Sequence, residues 1–174
     1  MTENNLTITN LRDLLDYNAR KFTNAEIQLK NSLTEWIAKA GALKLKDVLR
    51  KYLDFVQQHV QKLEGFFEAE QLSSLSSTNR IMKSFIEETD EKLNHCTDPE
   101  VRDACLLASV QDINHFKISL YGTAAAFARE LNMEKFAGIF HEAEINEKQI
   151  DDRLSQLAEH EINTRAKAPI LLSP

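Results

Sequence analysis

The chain has 174 residues, 43% of them apolar and 28% charged, which is typical of a single folded globular domain. Its net charge of −6, from 21 basic and 27 acidic residues, argues against a general nucleic-acid binder, which needs a positive surface. With only 4 Gly and 3 Pro the chain lacks the turn residues of sheet proteins, and no apolar run approaches the ~20 residues of a membrane span.

Apolar residues recur at the three- and four-residue spacing of helices along nearly the whole chain. The stripe over residues 11–37 predicts a long helix whose N-terminus is capped by Thr9 or Asn10. The stripe over residues 45–67 predicts a second long helix, which ends before the serine-rich loop at 73–77.

The second half predicts a short helix over residues 79–94 and two more long ones. Asp98-Pro99 predicts the start of the third long helix, because Asp is a good cap and Pro favours the first helical position. The fourth long helix follows a short break at Asn132 and covers residues 136–162.

The predicted connections decide the topology. Tight loops make the first two and the last two long helices antiparallel hairpins, and the segment between them, with its short helix, forms a crossover. Two hairpins joined by one long crossover make the ferritin-like variant of the four-helix bundle, an all-α fold. We expect residues 9–163 to form this domain, with an N-terminal segment at 1–8 and a loose tail at 164–174.

Each long helix carries polar residues on its apolar face near its middle. They are Glu26 in the first helix, His59 in the second, Gln111 and Asn114 in the third with Lys117 one step aside, and Glu147 in the fourth with Asn146 at its border. Burying an isolated charge is costly unless it is paired or binds a metal. Four helices with such groups at similar height therefore predict one shared site.

Carboxylates and histidines from four helices are the ligands of di-iron bundle proteins, in which two helices give a Glu and two give Glu-x-x-His. No Glu-x-x-His occurs in this chain. The candidate ligands are Glu26, His59, His115 and Glu147, a thin set that would hold iron or another divalent metal only weakly. His115 also fits a surface pair with Asp112, three residues before it.

The first residues lack the basic segment and apolar stretch of a secretion signal, and Cys96 and Cys105 have no metal-binding spacing. We therefore expect a cytoplasmic protein whose two thiols are reduced. Neither a nucleophile elbow nor a phosphate-binding glycine loop occurs, so no catalytic residue is predicted.

Several stretches share the order and spacing of one bacterial family. They are Asn24-Ala25-Glu26-Ile27-Gln28-Leu29, His59-Val60, Val101-Arg102-Asp103-Ala104, Tyr121-Gly122-Thr123 and Glu147-Lys148. On these residues the chain resembles the ferritin-like stress proteins typified by YciF and YciE, over about residues 10–162. The resemblance implies a ferritin-like bundle, a homodimer, a role in stress responses and a di-iron site.

Most of the ligand positions that the resemblance implies are changed here. The carboxylate of the second helix falls on Phe55, the pair of the third helix on Asn114 and Lys117, and one carboxylate of the fourth on Asn146. Glu26 and Glu147 carry over. The resulting hypothesis is that the Lys117 ammonium lies near both carboxylates and replaces the charge of the missing metal.

Two functions are compatible with these patterns. The first is a protein with a degenerate site and no cofactor, which acts as a structural or interaction protein on an unidentified protein partner. The second is a di-iron or single-metal protein that handles iron, oxygen or peroxide, and it rests on the fold and the four candidate ligands. The missing Glu-x-x-His and the cation at position 117 favour the first, and neither function involves nucleic acid or a membrane.

Overall fold

The computed structural model describes residues 7–72 and 77–167, and the regular elements of these ranges are helices. The helices are α1 (Leu11–Lys39), α2 (Leu43–Ala69), α3 (Arg80–His95), α4 (Pro99–Glu130) and α5 (Glu134–Leu157), with a π-helical turn at Ala158–Ile162 and a last turn, α6, at Asn163–Arg165. Parts of three predicted segments, residues 1–6 of the N-terminal segment, 73–76 of the loop and 168–174 of the tail, lie outside the described residues.

Two helix starts follow the predicted capping chemistry. The side chain of Asn10 accepts a hydrogen bond from the backbone N–H of Asp13 at 2.9 Å, which caps α1. The side chain of Asp98 accepts from the backbone N–H of Glu100 at 2.8 Å, and Pro99 takes the first position of α4. Both predicted caps are confirmed.

The start of α2 depends on a residue far away in sequence. Its own N-cap position, Ala42, offers no side-chain hydrogen bond. Instead the carboxylate of Asp103, in α4, accepts from the backbone N–H groups of Gly41 and Ala42 at 2.8 and 2.7 Å. A Cβ atom at Gly41 would lie 3.2 Å from Asp103 Oδ2, so glycine leaves room for this close approach.

The topology is the predicted one. The short connections after α1 and α4 make α1–α2 and α4–α5 antiparallel hairpins, and Asn132, in the second connection, has a φ of 56°. Asparagine tolerates this left-handed conformation better than most residues. The hairpins pack through α1 against α4 and α2 against α5, while α3 lies in the crossover and packs on α1 and α4. The all-α ferritin-like bundle is confirmed.

A polar layer divides the core of the bundle into two apolar halves. One half contains Trp36, Leu49 and Ile150, and the other contains Phe66 and Phe140, among others. Along each long helix the predicted polar residues fall between the two halves, except Gln111, which lies between Val110 and Ile113 of the first half. No helix of the described ranges is both long enough and apolar enough to cross a bilayer.

Candidate functional site

The polar layer brings one charged or titratable side chain from each long helix together at the bundle centre. Glu26 of α1, His59 of α2, Lys117 of α4 and Glu147 of α5 are each at most 1% exposed. The Lys117 ammonium lies 2.9 Å from Glu26 Oε2 and 2.6 Å from Glu147 Oε1. It therefore lies between the two carboxylates, as an internal counter-ion.

Neutral donors occupy the other carboxylate oxygens. The hydroxyl of Tyr121 donates to Glu26 Oε1, and the hydroxyl of Tyr52 donates to Glu147 Oε2 at 2.7 Å. The Asn114 amide donates to the same Oε2 at 2.6 Å and to the backbone carbonyl of Glu147 at 3.0 Å. Every oxygen of both carboxylates thus has a polar contact, as buried charges require.

His59 faces both carboxylates through one ring nitrogen. Its Nδ1 lies 3.3 Å from Glu26 Oε1 and 3.5 Å from Glu147 Oε1, and its Nε2 lies 3.5 Å from Asn146 Nδ2. A neutral ring with its proton on Nδ1 fits these contacts, because Nδ1 then donates to the carboxylates and Nε2 accepts from the amide. The ring of Phe55 is nearly parallel to the imidazole, at 7° and 6.5 Å between centroids.

The ion pairs decide the charge states of the carboxylate and the ammonium. Burial by itself would raise the pKa of Glu26, but the Lys117 charge and contacts from His59 and Tyr121 outweigh it and lower that pKa to about 2. Burial would likewise lower the pKa of Lys117, but Glu147 and Glu26 raise it above its ordinary value. At neutral pH Glu26 is therefore ionised and Lys117 is protonated.

The two tyrosines stay protonated for the same reason. Burial, followed by the neighbouring charge of Glu147, raises the pKa of Tyr52 well above 10. Burial and Glu26 do the same for the pKa of Tyr121. Both phenols therefore act as hydrogen-bond donors to carboxylates.

Two predicted residues lie outside this cluster. The His115 side chain is 64% exposed, and its Nε2 lies 2.8 Å from Asp151 Oδ1, so its surface partner is Asp151 and the expected pairing with Asp112 is wrong. Gln111 is half-buried and donates to Asp151 at 3.3 Å and to Ser155 at 3.0 Å. Both side chains lie at the seam between α4 and α5, because α5 presents polar partners there.

Tyr52 and Tyr121 are the site residues that the sequence patterns missed. Both fall on the apolar stripes of their helices, where a tyrosine ring fills a core position. A buried phenol needs a hydrogen-bond partner, however. Tyr52 lies two helical turns from His59, and Tyr121 lies one turn from Lys117, so helical spacing places them beside the charged layer.

The donor set can be tested against the metal that the family resemblance implies. Glu26, His59 and Glu147 each offer one atom, and these atoms lie within 4.8 Å of one another. A bound divalent ion would need to lie about 2.0–2.2 Å from each of these atoms. The protonated Lys117 lies within 2.9 Å of both carboxylates, and its charge repels a cation that would bind them. With Lys117 charged, these residues do not fit a metal ion.

Comparisons with known proteins agree with the fold. A family model described as "Domain of unknown function (DUF892)" matches residues 10–167. Protein YciF of Escherichia coli (strain K12) is 29% identical over 144 residues, which cover 82% of this chain and 87% of that protein.

Solved structures show the same similarity. The crystal structure of the E. coli stress protein YciF matches with a TM-score of 0.84 and 27% identity, over 90% of this chain and 99% of that one. YcfI from Rhodopseudomonas palustris matches with a TM-score of 0.83 and 24% identity, over 89% of this chain and 98% of that one. The identity to YcfI is low enough that this match describes the fold alone.

Proposed function

The chain belongs to the family described as a domain of unknown function (DUF892), and from this membership we propose that it is a YciF-type, stress-associated bundle that works without a metal. The observation that carries the proposal is the position of Lys117, within 2.9 Å of Glu26 and Glu147. Its charge compensates the carboxylates that a metal would otherwise hold together.

The proposed mode of action is structural, through protein contacts on the outer surface. The four central groups are at most 1% exposed, so a substrate reaches them only if the bundle opens. Their hydrogen bonds and ion pairs are directed to one another, which favours a role in holding the four helices in register. The partner then meets the outer faces of the helices, and the cluster supports those faces.

Metal analysis tests the proposal most directly. The full chain, purified after growth with added iron, is expected to hold far less than one metal ion per chain. Stoichiometric iron, at about two ions per chain as in di-iron proteins, would overturn the proposal that the protein works without a metal. The matched variant is Lys117→Ala, which leaves both carboxylates and His59 in place and removes the ammonium.

The variant comparison uses cobalt(II) as a spectroscopic probe. We expect Lys117→Ala to bind Co²⁺ and to show the visible absorption of a protein-bound ion, whereas the unmodified chain shows none. Lys148→Ala, which removes an exposed lysine of α5 that pairs with Glu144, is the control and should behave like the unmodified chain.

A second candidate function is a metal protein that handles iron, oxygen or peroxide. The observation in its favour is that Glu26, His59 and Glu147 offer their ligand atoms within 4.8 Å of one another. Its test is ferrous-dependent oxygen consumption by the full chain. Activity that Glu26→Ala abolishes would favour this function over the metal-free one.

We further propose that the protein is cytoplasmic, from its charge balance and its first residues, and that it is a homodimer, from its resemblance to the family. Light scattering after size-exclusion chromatography is expected to give about twice the chain mass of 19.9 kDa. A monomer mass at micromolar concentration would contradict the dimer.

A further inference from the structure

The two cysteines lie on opposite sides of the turn between α3 and α4. Cys96 is the residue that ends α3, and Cys105 lies in the second turn of α4. Both are free and half-buried. The Cys96 thiol donates to the backbone carbonyl of Lys92 at 3.3 Å, and it is near enough to the Cys105 thiol to raise the pKa of that group. Neither cysteine belongs to the polar layer.

A cavity lies beside one of the two cysteines. It has a volume of about 260 Å³, and it is lined by Lys39, Leu93, Asn94, Cys96 and Arg102. Cys96 contributes to its wall and Cys105 does not. A small oxidant in this cavity would therefore meet Cys96 and not Cys105.

Positive side chains surround the pair. Lys39 and Arg102 line the same cavity as Cys96, and the Lys92 ammonium interacts with Cys105. Positive neighbours stabilise a thiolate, which is the form of cysteine that reacts with oxidants. Burial and the neighbouring Cys96 raise the pKa of Cys105, so little of Cys105 is thiolate at neutral pH.

We propose that Cys96 and Cys105 are a modification site, a dithiol that hydrogen peroxide converts to an intramolecular disulfide. The Cys96 thiolate attacks one peroxide oxygen, the O–O bond breaks, and the departing hydroxide takes a proton to form water, which leaves a sulfenic acid. The Cys105 sulfur then attacks the Cys96 sulfur, the S–O bond breaks, and a second water forms. Two thiols are oxidised and one peroxide is reduced to two waters.

The disulfide closes a short covalent ring between the end of α3 and the start of α4. The turn is already held by a hydrogen bond from Arg102 Nη2 to the Cys96 carbonyl at 3.2 Å. Oxidation therefore fastens the crossover helix onto α4 and leaves the polar layer unchanged. This proposal does not depend on whether the polar layer binds metal. The dithiol proposal and the proposal of a metal-free layer can therefore fail independently of each other.

The test counts free thiols in the full chain. Reduced protein, freed of reductant and treated with hydrogen peroxide, is denatured and labelled with N-ethylmaleimide. We expect the peroxide-treated chain to lose both maleimide adducts and the untreated chain to carry two. Tryptic cleavage after Lys92, Arg102 and Lys117 separates the cysteines into peptides 93–102 and 103–117. Without reductant these two peptides should be found joined, lighter than their sum by two hydrogen atoms.

Single-cysteine variants identify the order of the steps. In Cys105→Ser, peroxide should produce a Cys96 sulfenic acid that dimedone traps, and in Cys96→Ser far less sulfenic acid should form on Cys105. The joined peptide should be absent from both variants. Two maleimide adducts after peroxide treatment, a disulfide between two chains, or oxidation of Cys96 to a sulfinic acid with Cys105 still free would each overturn the proposal.

Discussion

Lys117 is the residue on which the electrostatics of the bundle centre depend. It contacts Glu26 and Glu147 directly, and its Nζ also lies 4.8 Å from the centre of the Tyr52 ring. A buried ion pair adds little net stability by itself, because desolvation offsets the attraction. Removing one partner is different, since it leaves the other charge buried and unpaired.

The first prediction concerns this stranded charge. Lys117→Ala is expected to lower the free energy of unfolding by about 3–5 kcal/mol, because two buried carboxylates lose their counter-ion. Adding Glu26→Gln should recover part of the loss, since one of the stranded charges disappears. Urea denaturation of the single and double variants measures both effects.

The control for this comparison is Lys148→Ala. Lys148 pairs with Glu144 at the surface, its side chain is 57% exposed, and its loss should change stability by no more than about 0.5 kcal/mol. If Lys117→Ala melts like the unmodified protein, the buried-pair interpretation is wrong.

The second prediction is the pH dependence that Glu26 introduces. Its pKa falls from 4.5 to about 2 in the folded protein, so the folded state binds its proton less readily than the unfolded state does. The stabilisation is therefore complete above about pH 4.5 and is lost as the pH falls towards 2. Its size is on the order of 3 kcal/mol.

Comparison with Glu26→Gln isolates this contribution from the other carboxylates. The difference in unfolding free energy between the two proteins, followed by urea denaturation at several pH values, should shrink as the pH falls through that window. A difference that stays constant from pH 6 to pH 3 would mean that the Glu26 pKa is not depressed.

Helical periodicity was enough to find the charged members of the layer but not all its neutral ones. A charge on an apolar stripe is conspicuous, which is why Glu26 and Lys117 could be predicted. Tyr121 looks like an ordinary core residue in a stripe, and only its hydroxyl contact shows its role. Gln111 shares the helix face of Asn114, but its side chain donates to Asp151 of α5 and not to the polar layer. Helical spacing within α4 cannot predict a partner on another helix.

At the scale of the elements, local signals predicted the helix starts that are capped locally. Asn10 and Asp98 cap their own helices through neighbours in sequence. The start of α2 was less evident because its capping group, Asp103, is supplied by α4, more than sixty residues away. Such a cap also fixes the α1–α2 connection against α4.

The third prediction concerns this tertiary cap. Asp103→Ala should lower the free energy of unfolding by about 1.5–3 kcal/mol, because a buried carboxylate accepts hydrogen bonds from two backbone N–H groups. Asp103→Asn keeps one acceptor and should lose less. Thermal and urea denaturation measure the difference.

Asp98→Ala is the matched comparison, because Asp98 also accepts from two backbone N–H groups at a helix start but is only half-buried and caps its own helix. Its loss should cost about 0.5–2 kcal/mol. If Asp103→Ala costs less than Asp98→Ala, the contact across the fold contributes no more than a local cap.

At the scale of the whole molecule, the polar layer is a charged band between two apolar halves. Each long helix contributes apolar residues to both halves and at least one polar residue between them. Sliding one helix by a turn would place a charge in an apolar half and an apolar residue among the charges. The layer therefore favours one vertical alignment of the four helices, a role best documented for polar residues in coiled coils.

The fourth prediction separates this alignment from stability. The triple variant Glu26→Gln, Lys117→Met and Glu147→Gln removes all three charges but keeps side-chain oxygens that can accept from Tyr52, Tyr121 and Asn114. Buried ion networks replaced by neutral groups of similar volume are often as stable as the original, or more so. We therefore expect its free energy of unfolding to match or exceed that of the unmodified chain, although Lys117→Ala alone is strongly destabilising.

Two measurements on the triple variant decide the outcome. Urea denaturation gives its free energy of unfolding. The pH dependence that Glu26 contributes between about pH 4.5 and 2 should be absent, because Gln at position 26 does not titrate. Amide hydrogen exchange gives the uniqueness of the fold, and faster exchange along α1, α2, α4 and α5 at equal stability would show that the charges fix the helix alignment. If the triple variant is as unstable as Lys117→Ala, lost packing around the lysine stem, and not the stranded charge, explains the cost of the single change.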